Sequence, residues 1–143
     1  MIVPDVNMLL YAHVRSFTEH VKARRWWEDL LNGDTEVAIA APVLFGFVRL
    51  ATSRQVFDKP LAVNEALALV DAWLSRAHVR FALPGPRLLE IAFDLLKDLG
   101  ATGNLTTDAQ IAALAIEEQG EVHSNDSDFA RFSRLRWVNP LRS

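Results

Sequence analysis

Along the chain, short β-like runs alternate with longer stretches in which apolar residues recur every three or four positions. That order is expected of an α/β domain built on a mainly parallel sheet. Met1–Pro4 and Glu121–Ser124 read as strands, Val37–Ala40 and Val79–Ala82 fit the same pattern, and Trp137-Val138 adds an edge, about five strands in all. Val6–Tyr11 is a first apolar helical run, and Glu19–Asn32 places Ala23, Trp27, Leu30 and Leu31 on one face before stopping at Gly33. Pro42 suits the first turn of a helix reaching about Thr52, and Asn64–Arg76 turns Ala66, Leu67, Val70, Trp73 and Leu74 inward. Pro86 opens a stretch whose Leu88, Leu89, Ala92, Leu95 and Leu96 face the core before Gly100, and Thr106 or Thr107 caps a last helix that stops at Gly120. Arg54–Pro60 and Leu83–Pro86 read as irregular connections.

A few acids fall at the ends of these elements. Asp5 follows directly on the first strand, and Asp126 and Asp128 follow directly on Glu121–Ser124. Both sets therefore lie at carboxyl ends of strands, the edge where open parallel α/β sheets bind ligands. Asp108 joins them if the helix near Thr107 starts from that side. Taken singly, each acid has a plainer role as a helix cap or as a complement to a helix dipole. Held together, three or four carboxylates repel one another and resist ionisation, and a divalent cation is the usual means of stabilising such a group. Oxygen ligands without cysteine or paired histidine favour Mg²⁺ or Mn²⁺ over Zn²⁺.

Composition narrows the classes further. The 143 residues, half of them hydrophobic and 23% charged, suit one folded domain spanning 1–143. Without cysteine there are no disulfides, thiol catalysis or cysteine-based metal sites. Fifteen Lys and Arg against 18 Asp and Glu give a formal charge of -3, so any hold on nucleic acid must come from local clusters. Arg15, Lys22, Arg24, Arg25, Arg49 and Arg54 are the candidates. The longest uncharged apolar stretch, Val37–Val48, is about half of what a membrane span needs, and the first residues lack a secretory pattern, so a cytoplasmic location with no membrane contact is expected. His13, His20, His78 and His123 show no zinc-binding spacing; neither a phosphate loop nor a nucleophile elbow is present, and the four tryptophans read as packing.

Asp5-Val6-Asn7 after the first strand, Thr107-Asp108-Ala109 opening an apolar helix, and Ser124-Asn125-Asp126-Ser127-Asp128-Phe129 after a late strand resemble the PIN-domain nucleases. More narrowly the chain resembles the VapC toxins of bacterial toxin–antitoxin modules, from Met1 to about Leu141, including Phe47-Val48-Arg49-Leu50-Ala51-Thr52 and the closing Arg136-Trp137-Val138-Asn139-Pro140. The resemblance implies a PIN-like α/β/α fold and a Mg²⁺- or Mn²⁺-dependent endoribonuclease. Asp5, Asp108 and Asp126 are the implied catalytic and metal-ligating acids, with Asp128 a further ligand or its neighbour, and Asn7 and Ser124 orient water or the ligands. It also implies a homodimer and a small VapB-type antitoxin that covers the site, for which the helix pair Glu19–Asn32 and Pro42–Thr52 is the candidate groove. One position departs from the family: the Glu usual before the Phe-Val-Arg element is Gly46 here.

The chemistry expected is metal-assisted, in-line attack of water on an RNA phosphodiester, with no covalent protein intermediate. Gly46 keeps open a second reading, a catalytically weakened PIN-like protein that binds RNA or a partner. A metal-dependent phosphatase or phosphoacceptor would use the same acids, but no Lys occupies a suitable late loop for a receiver-type phosphoacceptor.

Overall fold

The computed structural model describes residues 1–100 and 103–142. Five strands, β1 (Ile2–Pro4), β2 (Val37–Ala40), β3 (Val79–Ala82), β4 (Glu121–His123) and β5 (Arg136–Val138), form one parallel sheet in the order β3-β2-β1-β4-β5. Six helices flank it: α1 (Val6–His13), α2 (His20–Asn32), α3 (Ala41–Ala51), α4 (Val63–Leu74), α5 (Leu88–Leu99) and α6 (Leu105–Glu117), with a 3₁₀ turn at Ser127–Arg131. The expected α/β/α class and strand count hold. None of these helices is long and apolar enough to cross a membrane.

The chain winds outward from β1 to β2 and β3, then returns across the sheet to β4 and β5. Right-handed crossovers therefore set α1 to α4 on one face, where α1 packs on α2 and α3, and the packed pair α5 and α6 on the other. The strand order reverses between β1 and β4, which opens a crevice at their carboxyl ends. The central strands are buried on both faces, as their unbroken apolar runs require.

Local chemistry explains where the expected boundaries shift. The helix opened by Pro86 begins at Leu88, where the Glu117 carboxylate accepts the Arg87 N–H at 2.7 Å, and it ends on Gly100, whose φ of 67° suits a left-handed C-terminal stop. Neither Thr106 nor Thr107 caps α6. The helix starts at Leu105, and Thr106 N–H is taken by the Gly103 carbonyl at 3.1 Å. Leu67 and Leu89, expected inward, are 46% and 65% exposed.

Leu67, Val70 and Leu74 of α4 instead line an open trough with Leu44, Phe45 and Val48 of α3 and Phe81 of the edge strand, of about 290 Å³ and almost wholly apolar. This relocates the expected groove. Between α2 and α3 the space is filled by α1, whose Met8, Leu9, Leu10 and Ala12 are buried, so the open apolar surface lies between α3 and α4.

Candidate active site

All four expected acids meet at the crevice between β1 and β4. Asp5 is the residue on which β1 ends and α1 begins: its Oδ1 accepts the Val6 N–H at 2.8 Å, so its capping role is real. Its backbone N–H donates to the His123 carbonyl at 2.9 Å, which extends the β1–β4 pairing by one rung and locks the strand ends together. From β4 the chain runs into Ser124, fully buried, whose hydroxyl donates to Asp5 Oδ2 at 2.7 Å. Ser124 Oγ also accepts the Asp126 N–H at 3.0 Å and Asn7 Nδ2 at 3.2 Å, which uses its whole bonding capacity. Asp126 in turn accepts the Asp128 N–H at 2.9 Å and so starts the 3₁₀ turn. Asp108 enters from the first turn of α6.

Asp108, Asp126 and Asp128 each offer a carboxylate oxygen, and these oxygens lie within 4.8 Å of one another. Asp5 stands beside this group, 6% exposed and near enough for Asp126 to act on its charge. Burial lifts the Asp5 carboxyl above the ordinary carboxylate range, while the bonds from Ser124 and Val6 pull it back. Asp108 is pushed up to about 6, first by burial and then by the charges of Asp5, Asp126 and Asp128. Among the described residues, no Lys, Arg or His forms an ion pair with any of the four. Their hard oxygen donors, gathered without a counter-charge, are a donor set that fits a divalent cation.

Around the acids stands a polar frame, part of which is not evident from the sequence. Asn7 orients Ser124 and takes the Asn125 N–H on Oδ1 at 3.4 Å. Asn125 is held by Asn139 Nδ2 at 3.0 Å and reaches Tyr11 Oη at 3.4 Å. Trp137 and Trp26 do more than pack: the Trp137 indole donates to the Ser124 carbonyl at 3.0 Å, and the Trp26 indole donates to His123 Nδ1 at 3.0 Å. Because an indole can only donate, His123 is neutral with its proton on Nε2, which faces Glu121 Oε1 at 2.9 Å. Burial lowers the pKa of His123 in agreement. Asn7 and Ser124 are the frame residues expected from the sequence, Asn125 lies inside the same acidic run, and the indoles carry no spacing signal.

The candidate cations scatter. Arg15 and Arg24 line a cavity beside α1 and α2, Arg25 sits on the outer face of α2, and Arg54 borders the loop after α3. Gly46 faces Val6: a Cβ there would meet Val6 Cγ2 at 3.5 Å, an ordinary contact, so no close backbone approach requires glycine.

The PIN domain model matches residues 2–135. Ribonuclease VapC33 of Mycobacterium tuberculosis is 49% identical over 142 residues, 99% of each chain. VapC ribonuclease Mb2897 of Mycobacterium bovis is 40% identical over 141 residues, 99% of this chain and 96% of that protein. Among solved structures, Mycobacterium tuberculosis VapC20, described as a Sarcin-Ricin loop cleaving toxin, superposes with a TM-score of 0.68 at 20% identity over 95% of this chain and 99% of its own. VapBC2 from Rickettsia felis, bound to a DNA fragment from its promoter, gives 0.67 at 22% identity over 97% and 98%. The sheet order, the crevice at its reversal point and whole-length identity to named VapC ribonucleases converge, and the chain belongs to the PIN-domain family, among its VapC ribonucleases.

Proposed function

We propose that this protein is a Mg²⁺- or Mn²⁺-dependent endoribonuclease and the toxin of a toxin–antitoxin module, in which a VapB-type antitoxin restrains it and two copies form a homodimer. The observation that carries the nuclease reading is the carboxylate group at the β1–β4 crevice: three acids within 4.8 Å, a fourth beside them, and no cation paired with any among the described residues. Asp5, Asp108 and Asp126 hold the metal, with Asp128 as a further ligand. When bound, a divalent cation neutralises the scissile phosphate and makes water a better nucleophile. Ser124, oriented by Asn7, fixes the Asp5 carboxylate and the Asp126 backbone, and the Asp128 N–H holds the Asp126 carboxylate, so little reorganisation is needed on binding. A carboxylate of the group not engaged by the metal would position the attacking water or take its proton.

The partner follows from surface chemistry as well as from relatives. An amphipathic helix needs an apolar groove, and the trough between α3 and α4 supplies one. Gly46 favours a second reading, RNA or partner binding with weakened cleavage, because the usual fourth acid is missing there. Incubating the purified protein with labelled RNA in Mg²⁺, Mn²⁺ or EDTA separates the two: cleavage in either metal and none in EDTA is expected, and binding without cleavage in both metals would establish the second reading. Light scattering tests the dimer. Growth arrest on expression, relieved by a small gene beside this one, tests the module.

A further inference from the structure

The end of α1 and one side of α2, from His20 to Leu31, line a cavity of about 330 Å³ that the carboxylate chemistry does not use. His13, Arg15, His20 and Arg24 line it with Glu28 as the one acid, an excess of positive charge in a chain whose formal charge is -3. Both imidazoles are fixed by backbone carbonyls: His13 Nδ1 donates to the Leu9 carbonyl and His20 Nδ1 to the Tyr11 carbonyl, each at 2.8 Å. A carbonyl can only accept, so the nitrogen left free on each ring is Nε2. Glu28 engages Arg24 only through Nε, at 2.8 Å, and Arg15 forms no hydrogen bond or ion pair among the described residues. The His13 pKa is lowered by burial, and the nearby His20 and Arg24 add to that effect, which marks the cavity as short of negative charge.

The cavity is coupled to the acidic crevice through one residue. Tyr11 gives its backbone carbonyl to His20 on the cavity wall, and its hydroxyl meets Asn125, the neighbour of Asp126, at 3.4 Å. Asp5 and His13 bracket α1, whose eight residues span about 12 Å at the helical rise. The carboxylate edge and the cavity therefore lie at the two ends of one short helix, with Tyr11 touching residues of both.

We propose that this cavity binds a backbone phosphate of the RNA strand away from the scissile bond, gripped by Arg15 and Arg24 beside the imidazoles of His13 and His20. The inference rests on the ribonuclease reading. It explains how an acidic protein holds a polyanion whose scissile phosphate must approach a cluster of carboxylates: the grip lies apart from the cut.

Arg15 and Arg24 are exposed, so Arg15→Gln with Arg24→Gln leaves the core intact. Two measurements on metal-free protein in EDTA test the site. In the first, inorganic phosphate is titrated while the imidazole resonances of His13 and His20 are followed by NMR; saturable shifts are expected in the unsubstituted protein and their loss in the double variant. In the second, a fluorescent single-stranded RNA is bound by both proteins over a range of salt. The double variant is expected to bind about tenfold more weakly, with a salt slope shallower by about 0.7 for each lost contact. Imidazoles indifferent to phosphate, or an RNA affinity and salt slope unchanged by the substitutions, would overturn the proposal. A protein that cuts RNA while failing either measurement loses only this subsite, whereas one that neither binds nor cuts RNA loses the nuclease reading and the subsite together.

Discussion

The carboxylate edge between β1 and β4 and the apolar trough between α3 and α4 both cost the isolated chain free energy, in opposite ways. At the edge, Asp108, Asp126 and Asp128 stand within 4.8 Å of one another and pair with no Lys, Arg or His among the described residues, so the cost is electrostatic and grows as the site ionises. In the trough, Phe45 is 76% exposed and Leu67 46%, and the cost is unburied apolar area that no titration changes. The edge calls for something small and positive, beside an Asp5 carboxylate already fixed by Ser124, which Asn7 orients. The trough calls for something long and apolar. Because the two costs differ in kind, they can be removed separately, and the comparison is open to attack from either side.

The largest effect falls on the edge. Asp108→Asn keeps the shape and removes one charge, so RNA cleavage drops by at least about 100-fold, the scale of a lost charge-stabilising group. The melting temperature in EDTA rises, since the cost of burying the charge and the repulsion from its neighbours, which together lift Asp108, are both relieved. Asp5→Asn abolishes cleavage too, but without stabilising the fold, because the Asp5 carboxylate accepts from Ser124 and Val6 and an amide oxygen can keep only one of those bonds. Paired cleavage and melting measurements check both. Equal stabilisation by the two variants would show that the acids share one undifferentiated repulsion.

Next comes the trough. Phe45→Asp leaves the stability of the lone protein within about 0.5 kcal/mol of unchanged, as suits an exposed site. It weakens binding of the antitoxin about 10- to 100-fold, the loss typical of a central apolar anchor. Cleavage by the free enzyme is untouched. Calorimetry against the antitoxin, with the cleavage assay as control, measures both, and undiminished binding would place the partner elsewhere.

A subtler break uses pH. Asp108 has a folded pKa of about 6 against an ordinary 3.8, so the folded state holds its proton more tightly than the unfolded one. The resulting stability is fully present below pH 3.8 and is lost as pH rises through 6. Metal competes with that proton: Mn²⁺ affinity measured by calorimetry falls by about tenfold per pH unit below 6, and the apo protein becomes more stable over the same interval. Phe45→Asp should leave this profile unaltered; Asp108→Asn should flatten it.

These contrasts also show what a sequence can disclose. Asp5, Asp126 and Asp128 were legible because they follow the carboxyl ends of two short strands, and parallel topology fixes which end of a strand faces the crevice. Asp108 was legible from its place at the start of α6, although the start itself was not, since Thr106 gives its N–H to Gly103 and caps nothing. The trough was hidden for a different reason. Helical spacing shows that Leu67 and Val70 share a face, but whether a neighbour covers that face depends on how α4 sits against α3. The links from Trp26 to His123 and from Trp137 to Ser124 were hidden likewise, because an indole proposed for packing gives no sign of the partner its N–H will find.

The smallest effect tests whether Gly46 belongs to the edge or to the scaffold. Glycine inside a helix costs about 1 kcal/mol relative to alanine, and nothing nearby demands it: an added Cβ meets only Val6 Cγ2 at 3.5 Å. Gly46→Ala is therefore expected to stabilise the protein by about 0.5–1 kcal/mol without altering cleavage. Val6 is the residue next to Asp5, so a longer acidic side chain at 46 starts beside the carboxylate edge. Gly46→Glu should accordingly forfeit the gain seen with alanine, since it adds a further negative charge to an already repelling group, and tighten Mn²⁺ in return. Calorimetric metal titration of the two variants, read with their melting temperatures in EDTA, decides the point. If Glu and Ala stabilise equally and neither changes metal affinity, position 46 lies outside the field of the acids and the missing fourth carboxylate has no bearing on activity.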